Sequence, residues 1–281
     1  IHTDNGKPRR NVIKPHRGAF DAGHLDATIN ADIKVNSIRH DTIDAKLTHV
    51  DLSDKVGLLN INELTADVTH CKTETAIRNI AIKVANTRLD IPICSIKYDG
   101  KDITIYDTNV TGKVVLQDIA QPFAPTLKNF TTPLQFTTTV GGPIDAIRFK
   151  NIVVSSYDKR LRITGQGRLD KATKKKELTV DFYNIHMVAK DGIKEVIVRH
   201  FSKVVRLKML RQLKSIGDIS FDGRFGVQFM RVDMKGVLHC KHTDLNFDFY
   251  IDGYKKKLHG NALTESIDLG AIMGIKKLYV G

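Results

Sequence analysis

The residues best suited to chemistry in this chain are His239, Cys240 and His242, which stand within four positions of one another. Imidazole and thiolate are the common ligands of zinc and related ions. Successive side chains on a strand point to opposite faces, so Cys240 and His242 share one face and His239 takes the other. The three do not converge on one ion. Cys71 and Cys94 lie far away, and three cysteines make no disulfide framework. The other nine histidines are scattered, as surface residues on polar strand positions would be. There is no phosphate-binding glycine loop, no nucleophile elbow and no convincing pair of acid and base carboxylates. The expectation is a chain that is not an enzyme, with no catalytic residue, no metal and no cofactor.

The elements point elsewhere. From Gly23 to Asn36, Leu25, Ala27, Ile29, Ala31, Ile33 and Val35 alternate with His24, Asp26, Thr28, Asn30, Asp32 and Lys34. A strand with this pattern has one apolar face and one polar face. The same alternation recurs at Ile43, Ala45 and Leu47, at Leu59 and Ile61, and at Leu64, Ala66 and Val68. Ile80, Ile82 and Val84 follow, then Ile103 and Ile105 after the Asp99-Gly100 turn signal, with Val114 and Leu116 closing the run. Further on it marks Leu134, Phe136 and Val140, Ile147 and Phe149, Ile152 and Val154, Leu161 and Ile163, Leu178, Val180 and Phe182, and Ile185, Met187 and Ala189. It returns from Ile219 to Ile251 with Phe225, Phe229, Phe247 and Phe249 in the apolar phase. The tally is roughly 18 to 22 short strands, with helix over about a tenth of the chain.

Two segments break the rhythm. Between Gln121 and Pro133, Pro122, Pro125 and Pro133 cannot donate to a central ladder. Phe123, Leu127 and Phe130 there suit a short helical turn. From Ile193 to Leu207 the apolar residues fall on one side at helical period, with Arg199, Lys203 and Arg206 opposite. The expected organisation is a loop or strand remnant at 1–17, a first β segment at 18–120, a proline-rich crossing at 121–133, a second β segment at 134–190, an amphipathic helical segment at 191–216 and a C-terminal β repeat at 217–281.

The net charge of +13 suits an acidic partner such as anionic lipid headgroups, although the basic residues are spread over the polar phase of the strands. Nucleic acid is not expected, because the aromatics sit in the apolar phase rather than interleaved with exposed Lys and Arg. No apolar run approaches the roughly 20 residues that span a bilayer. The first residue is Ile1, which reads as a piece of a longer or processed chain.

Two stretches carry a family resemblance. One runs from Arg17-Gly18-Ala19-Phe20 through Ala27-Thr28-Ile29-Asn30-Ala31 to Leu52-Ser53-Asp54-Lys55-Val56-Gly57-Leu58. The other runs from Leu213-Lys214-Ser215-Ile216-Gly217-Asp218-Ile219-Ser220-Phe221-Asp222-Gly223 to Asp268-Leu269-Gly270-Ala271-Ile272-Met273-Gly274. A short helix, a hydrophobic-Gly-x-Ile-x-Phe-x-Gly strand, a meander and an Asp-Leu-Gly-x-hydrophobic-x-Gly close resemble one repeat of the AsmA-like superfamily, in particular its translocation and assembly module (TamB) proteins of the Bacteroidetes type. The resemblance implies an elongated, curved, mostly antiparallel β-sheet folded into a taco-like trough with an apolar interior. It implies a periplasmic segment of an inner-membrane-anchored protein, with the anchor outside this chain. It implies a phospholipid or other acyl-chain lipid as cargo between inner and outer membranes, and an outer-membrane assembly protein of the BamA/TamA type as a further partner. The residues expected to line the interior are Leu25, Ile29, Ile33, Ile43, Leu47, Ile80, Ile82, Phe136, Phe182, Phe225, Phe229, Phe247 and Phe249. Two other readings use the same alternation: a chaperone-like module that adds strands of outer-membrane proteins or autotransporters to a sheet edge, and a closed β-sandwich whose apolar face is an ordinary core.

Overall fold

The structure is a computed structural model that describes residues 26–55, 59–100, 102–120, 128–171, 177–196, 217–228, 231–241, 243–252, 255 and 257–265. Of the described residues 78% are in strands and 5% in helix. Fourteen strands follow one another in chain order among the described residues. The expected mostly antiparallel β architecture with minor helix is what the chain adopts. Two compact units divide it, residues 1–136 and 137–281.

The first unit is a meander of long hairpins: β1 (Ala27–Arg39), β2 (Thr42–Asp54), β3 (Asn60–His70), β4 (Glu74–Val84), β5 (Thr87–Asp99) and β6 (Asp102–Val114). Each pairs antiparallel with the next. A short helix, α1 (Leu116–Ala120), follows β6. Leu116 therefore opens a helix instead of closing the strand run. The change is legible in the hydrogen bonds: Val115 and Thr87 bond to each other, and Asp118 in the first turn accepts from the Asn86 N–H at 2.8 Å and the Thr87 hydroxyl at 2.9 Å. These contacts hold α1 against the β4–β5 turn.

The division falls within β7 (Leu134–Pro143). The second unit continues with β8 (Ala146–Ser156), β9 (Leu161–Asp170), β10 (Thr179–Ala189), β11 (Ile219–Gln228), β12 (Arg231–Cys240), β13 (Thr243–Asp252) and β14 (Lys257–Leu263). From β8 onward each strand pairs antiparallel with the next.

The strand count is fourteen among the described residues, below the 18 to 22 expected from alternation. The excess came from β-bulges read as strand ends. Ile147 and Phe149 lie on one strand with Ile152 and Val154, and Leu178-to-Phe182 continues through a bulge into Ile185, Met187 and Ala189. Leu59, Ile61, Leu64, Ala66 and Val68 likewise belong to one segment. Each such bulge inserts one residue, so the apolar set stays on one face while the count of positions slips. The inserted positions include Asn79, Asn151 and Asn184, each with φ near +51°. Asparagine tolerates that left-handed backbone better than most residues. Bulges also bend and twist the strands that carry them.

Burial is sparse. Ten hydrophobic residues are buried among the described ones, and four of these are alanine. Neither unit holds a second sheet against its apolar face among its described residues. Of the expected helical segment, residues 193–196 form a helical turn. Its basic face, Arg199, Lys203 and Arg206, lies outside the described residues, as do residues 1–25, 121–127 and 266–281.

Candidate functional site

Cross-strand register shows which side chains share a face, because residues directly opposite in an antiparallel pair point the same way. In the first unit Ile29 is opposite Leu52, Ile33 opposite Leu47, and Ile38 opposite Ile43. Leu47 in turn faces Ala66, and Val50 faces Leu64. Leu64 continues to Ile82, Val68 to Ile77, and Ile80 to Ile91. The expected interior residues Ile29, Ile33, Ile43, Leu47, Ile80 and Ile82 are thus on one continuous aliphatic face. Leu25 lies outside the described residues.

Among the described residues that face is half-buried at Leu47, Ile80 and Ile82 and open to water at the β1–β2 hairpin. Ile33 is 58% exposed, Ile38 71% and Ile43 42%. Asp32 and Lys34, opposite His49 and Lys46, occupy the other side and are also exposed. A row of large aliphatic side chains left to water costs free energy in proportion to its area, about 25 cal/mol per Å². Contiguous patches of this kind mark surfaces that meet another apolar body.

The second unit builds the same face from different side chains. Phe149, Gly167, Phe182, Phe225, Met234, Phe249 and Gly260 form one cross-strand row. Phe247 stands in the next row, opposite Gly236 and Ala262. Phe247 stacks on Phe221 at 5.6 Å and on Phe249 at 5.5 Å between centroids. Phe221 is 9% exposed because its ring lies over two glycines, Gly223 and Gly236, that face each other across β11 and β12. A Cβ on either would sit 2.5 Å from the ring and closer still to a backbone oxygen of the partner strand. Phe182 lies over Gly167 and Phe249 over Gly260 in the same manner. Phe136 is half-buried on β7, and Phe229 lies outside the described residues. The pairing of aromatics with cross-strand glycines was missed in the sequence. Its signal was there: Gly167, Gly223, Gly236 and Gly260 all fall in the apolar phase of their strands.

The opposite face is polar and mostly paired. Lys46 meets Asp67 at 3.9 Å, Arg88 meets Asp90 at 3.0 Å and Lys235 meets Asp248 at 2.9 Å. His186, Asp222, His239 and Asp244 form a chain across four strands, with contacts of 2.7, 3.6 and 2.9 Å. His239 is therefore engaged with carboxylates, while Cys240 is half-buried and points to the other side opposite Thr243. Burial pushes the Cys240 thiol up from its ordinary value. His242 lies outside the described residues, and no group of three potential ligands gathers around a metal position among the described ones.

One polar cluster interrupts the apolar face. His70, Thr75 and Tyr98 touch at the turn end of β3, β4 and β5. His70 continues the apolar phase of Leu64, Ala66 and Val68, which the reading of scattered surface histidines overlooked. Beside it the Cys71 thiol is drawn below its ordinary value by hydrogen bonds from Thr73, its backbone N–H foremost.

Among the described residues no helix is long and apolar enough to cross a membrane. Comparison of the chain with protein-family models, with curated proteins and with solved structures found no match to any of them.

Proposed function

We propose that this chain is a non-catalytic lipid-binding segment, of the kind the AsmA-like and TamB resemblance implies, whose apolar face holds acyl chains of phospholipid in transit between the inner and outer membranes. The observation that carries the reading is the apolar face itself. In each unit the register gathers the apolar side chains on one side of a single sheet layer, and in the β1–β2 hairpin Ile33, Ile38 and Ile43 remain more than 40% exposed. An acyl chain laid on that surface removes its own methylenes and the sheet's side chains from water together. Each methylene contributes about 0.8 kcal/mol, so a chain of about 16 carbons gains on the order of 10 kcal/mol. That offsets much of the cost of leaving a bilayer. The net charge of +13 of the whole sequence suits a membrane with anionic headgroups.

The test is to purify the chain and assay co-purified phospholipid by mass spectrometry, beside Ile29→Asp and Phe247→Arg. Both positions are on the apolar face and half-buried. A charge facing lipid tails cannot be hydrated by them, whereas in the lipid-free protein water still reaches it. The expected result is lipid on the wild type, loss of lipid from both variants and unchanged strand content by circular dichroism. Wild-type protein that carries no lipid, together with global unfolding of both variants, would retire the proposal.

A further inference from the structure

The polar cluster at the turn end of the first unit has the geometry of a recognition site. His70 and Thr75 are directly opposite each other on β3 and β4. The Thr75 hydroxyl lies 2.7 Å from His70 Nδ1 and 3.0 Å from the Tyr98 hydroxyl, and Thr75 is only 8% exposed. The His70 and Tyr98 rings meet edge to face at 6.2 Å.

A threonine hydroxyl has one proton and two acceptor sites; with its proton placed on one of these two partners it accepts from the other. If it donates to His70 Nδ1, it accepts from Tyr98, and His70 carries its proton on Nε2. If it accepts from His70 Nδ1–H, it donates to Tyr98, whose own O–H is released. Either way the trio is satisfied internally and one donor is left over at its end. Among the described residues His70 Nε2 has no hydrogen-bond partner.

The surroundings decide what that donor suits. The neighbouring positions in the same cross-strand rows are Ile43, Ile96, Ile103 and Ile105. No charged side chain stands in these rows. A phosphate would call for a cation, whereas a neutral donor in aliphatic surroundings matches a neutral acceptor. The position fits the same ligand. At the opposite end of the β4–β5 hairpin the turn is held by α1 through Asp118, while the His70 end has no such cover among the described residues. A chain lying on the apolar face would place its polar end at the His70 side.

We infer that His70, Thr75 and Tyr98 form a binding site for the ester carbonyl of an acyl lipid whose hydrocarbon chain rests on the first unit's apolar face. The inference rests on the lipid reading above and adds the chemical group that is read. The test compares two probes that differ only in that carbonyl: lysophosphatidylcholine and the alkyl-ether phosphocholine of equal chain length. Binding of each to the whole chain is measured by titration calorimetry below the micelle concentration. The wild type is expected to prefer the ester by about fivefold, the scale of one hydrogen bond. His70→Phe and Thr75→Val are expected to bring the ester down to the ether's affinity and leave the ether unchanged. His70→Gln, which keeps a donor of similar reach, is expected to restore part of the preference. Melting curves identify any variant that has lost its fold, and the remaining ones decide. Equal wild-type affinity for ester and ether would overturn this site while leaving the lipid-binding face in place. Binding of neither probe would overturn both.

Discussion

The two units solve one problem with different side chains. The first lays Ile, Leu and Val across its apolar face, with bulges in β1, β2 and β4 keeping them in phase. Its face is rough and open: branched side chains stand up from the sheet, and Ile33 is more than half exposed. The second lays phenylalanine rings down on glycines of the adjacent strand, and Phe221 is nearly covered although no second layer covers the sheet among the described residues. A glycine in a strand interior weakens it by entropy and by lack of a side chain to pack. The ring that fills the vacated space recovers that loss, as in cross-strand aromatic rescue. The lesson is that a single-layer sheet can be self-covering where large rings meet cross-strand glycines, and stays most exposed where aliphatic side chains lack such partners, as at Ile33 in β1 and Leu258 in β14.

The widest separation between the units is expected from truncating one side chain in each. Phe221→Ala should cost about 3 kcal/mol, the low end of the range for buried phenylalanine, because the ring's contacts to Phe247 and the two glycines vanish together. Ile33→Ala, at a more than half-exposed position, should cost less than about 1 kcal/mol. Urea unfolding of the lipid-free chain checks both. Equal costs would erase the distinction drawn here.

Next in size is Gly236→Ala, expected to destabilise by about 2 kcal/mol, as overpacking does. The added methyl meets the Phe221 ring and the Asp222 carbonyl. In the Phe221→Leu background part of this cost should disappear, because one of the two obstacles has moved. A double-mutant cycle measures the coupling, and strict additivity would show that the ring and the glycine do not act as a pair. In the first unit the comparable strong point is the junction of α1 with the β4–β5 turn, not the apolar face. Thr87→Val keeps the shape and removes the hydroxyl that Val115 N–H donates to and that Asp118 accepts from. About 1.5 kcal/mol of destabilisation is expected for leaving the buried Val115 N–H without its acceptor and Asp118 with one donor fewer, read by the same denaturant titration.

The period-2 pattern made the strands, their faces and the scarcity of helix legible, since a one-residue slip would have sent Ile29 or Phe247 to the polar side. Three features were not legible from alternation alone. Bulges break the count without changing the face, so Phe149 and Ile152, or Phe182 and Ile185, looked like neighbours across a strand end. The local sequence carries the marker in hindsight: Ile77-Arg78-Asn79-Ile80, Phe149-Lys150-Asn151-Ile152 and Phe182-Tyr183-Asn184-Ile185 share apolar-x-Asn-Ile. The asparagine supplies the left-handed backbone and the isoleucine re-enters the face. The aromatic–glycine pairs need the register between strands, which no single strand encodes. The His70 cluster joins residues 28 positions apart, from His70 to Tyr98, and only pairing through β4 brings them together. The α1 start at Leu116 depended on Asp118 reaching back to Asn86 and Thr87, another contact invisible along the chain.

The smallest expected difference between the units is electrostatic. In the second unit Asp158 caps the β8–β9 turn: it accepts from the Ser156 hydroxyl at 2.5 Å and from the Arg160 N–H at 3.1 Å, and these bonds, the Ser156 one foremost, hold its carboxyl below the ordinary value. In the first unit Asp44, near the start of β2, is lowered by hydroxyl donors from Thr69 and Ser37, with nearby Arg39 and Arg78 adding to the effect. A carboxyl whose folded value is depressed contributes stability that is fully present above the unfolded value, about 3.9, and is lost as pH falls through the lower folded value. Both contributions should therefore be constant above about pH 5 and decline toward about pH 3. Asp158 is exposed and Asp44 is half-buried at the surface, so the decline should be shallow and further weakened by salt. Asp158→Asn keeps an acceptor oxygen and removes the titration, which should flatten the acid dependence of amide hydrogen exchange in β8 and β9 alone. Asp44→Asn should do the same for β2 and β3 alone. If either variant flattened exchange in both units, or neither changed its own, the stability of the two faces would not be separable by unit, and the contrast between the aliphatic and the aromatic face would have to be sought in packing alone.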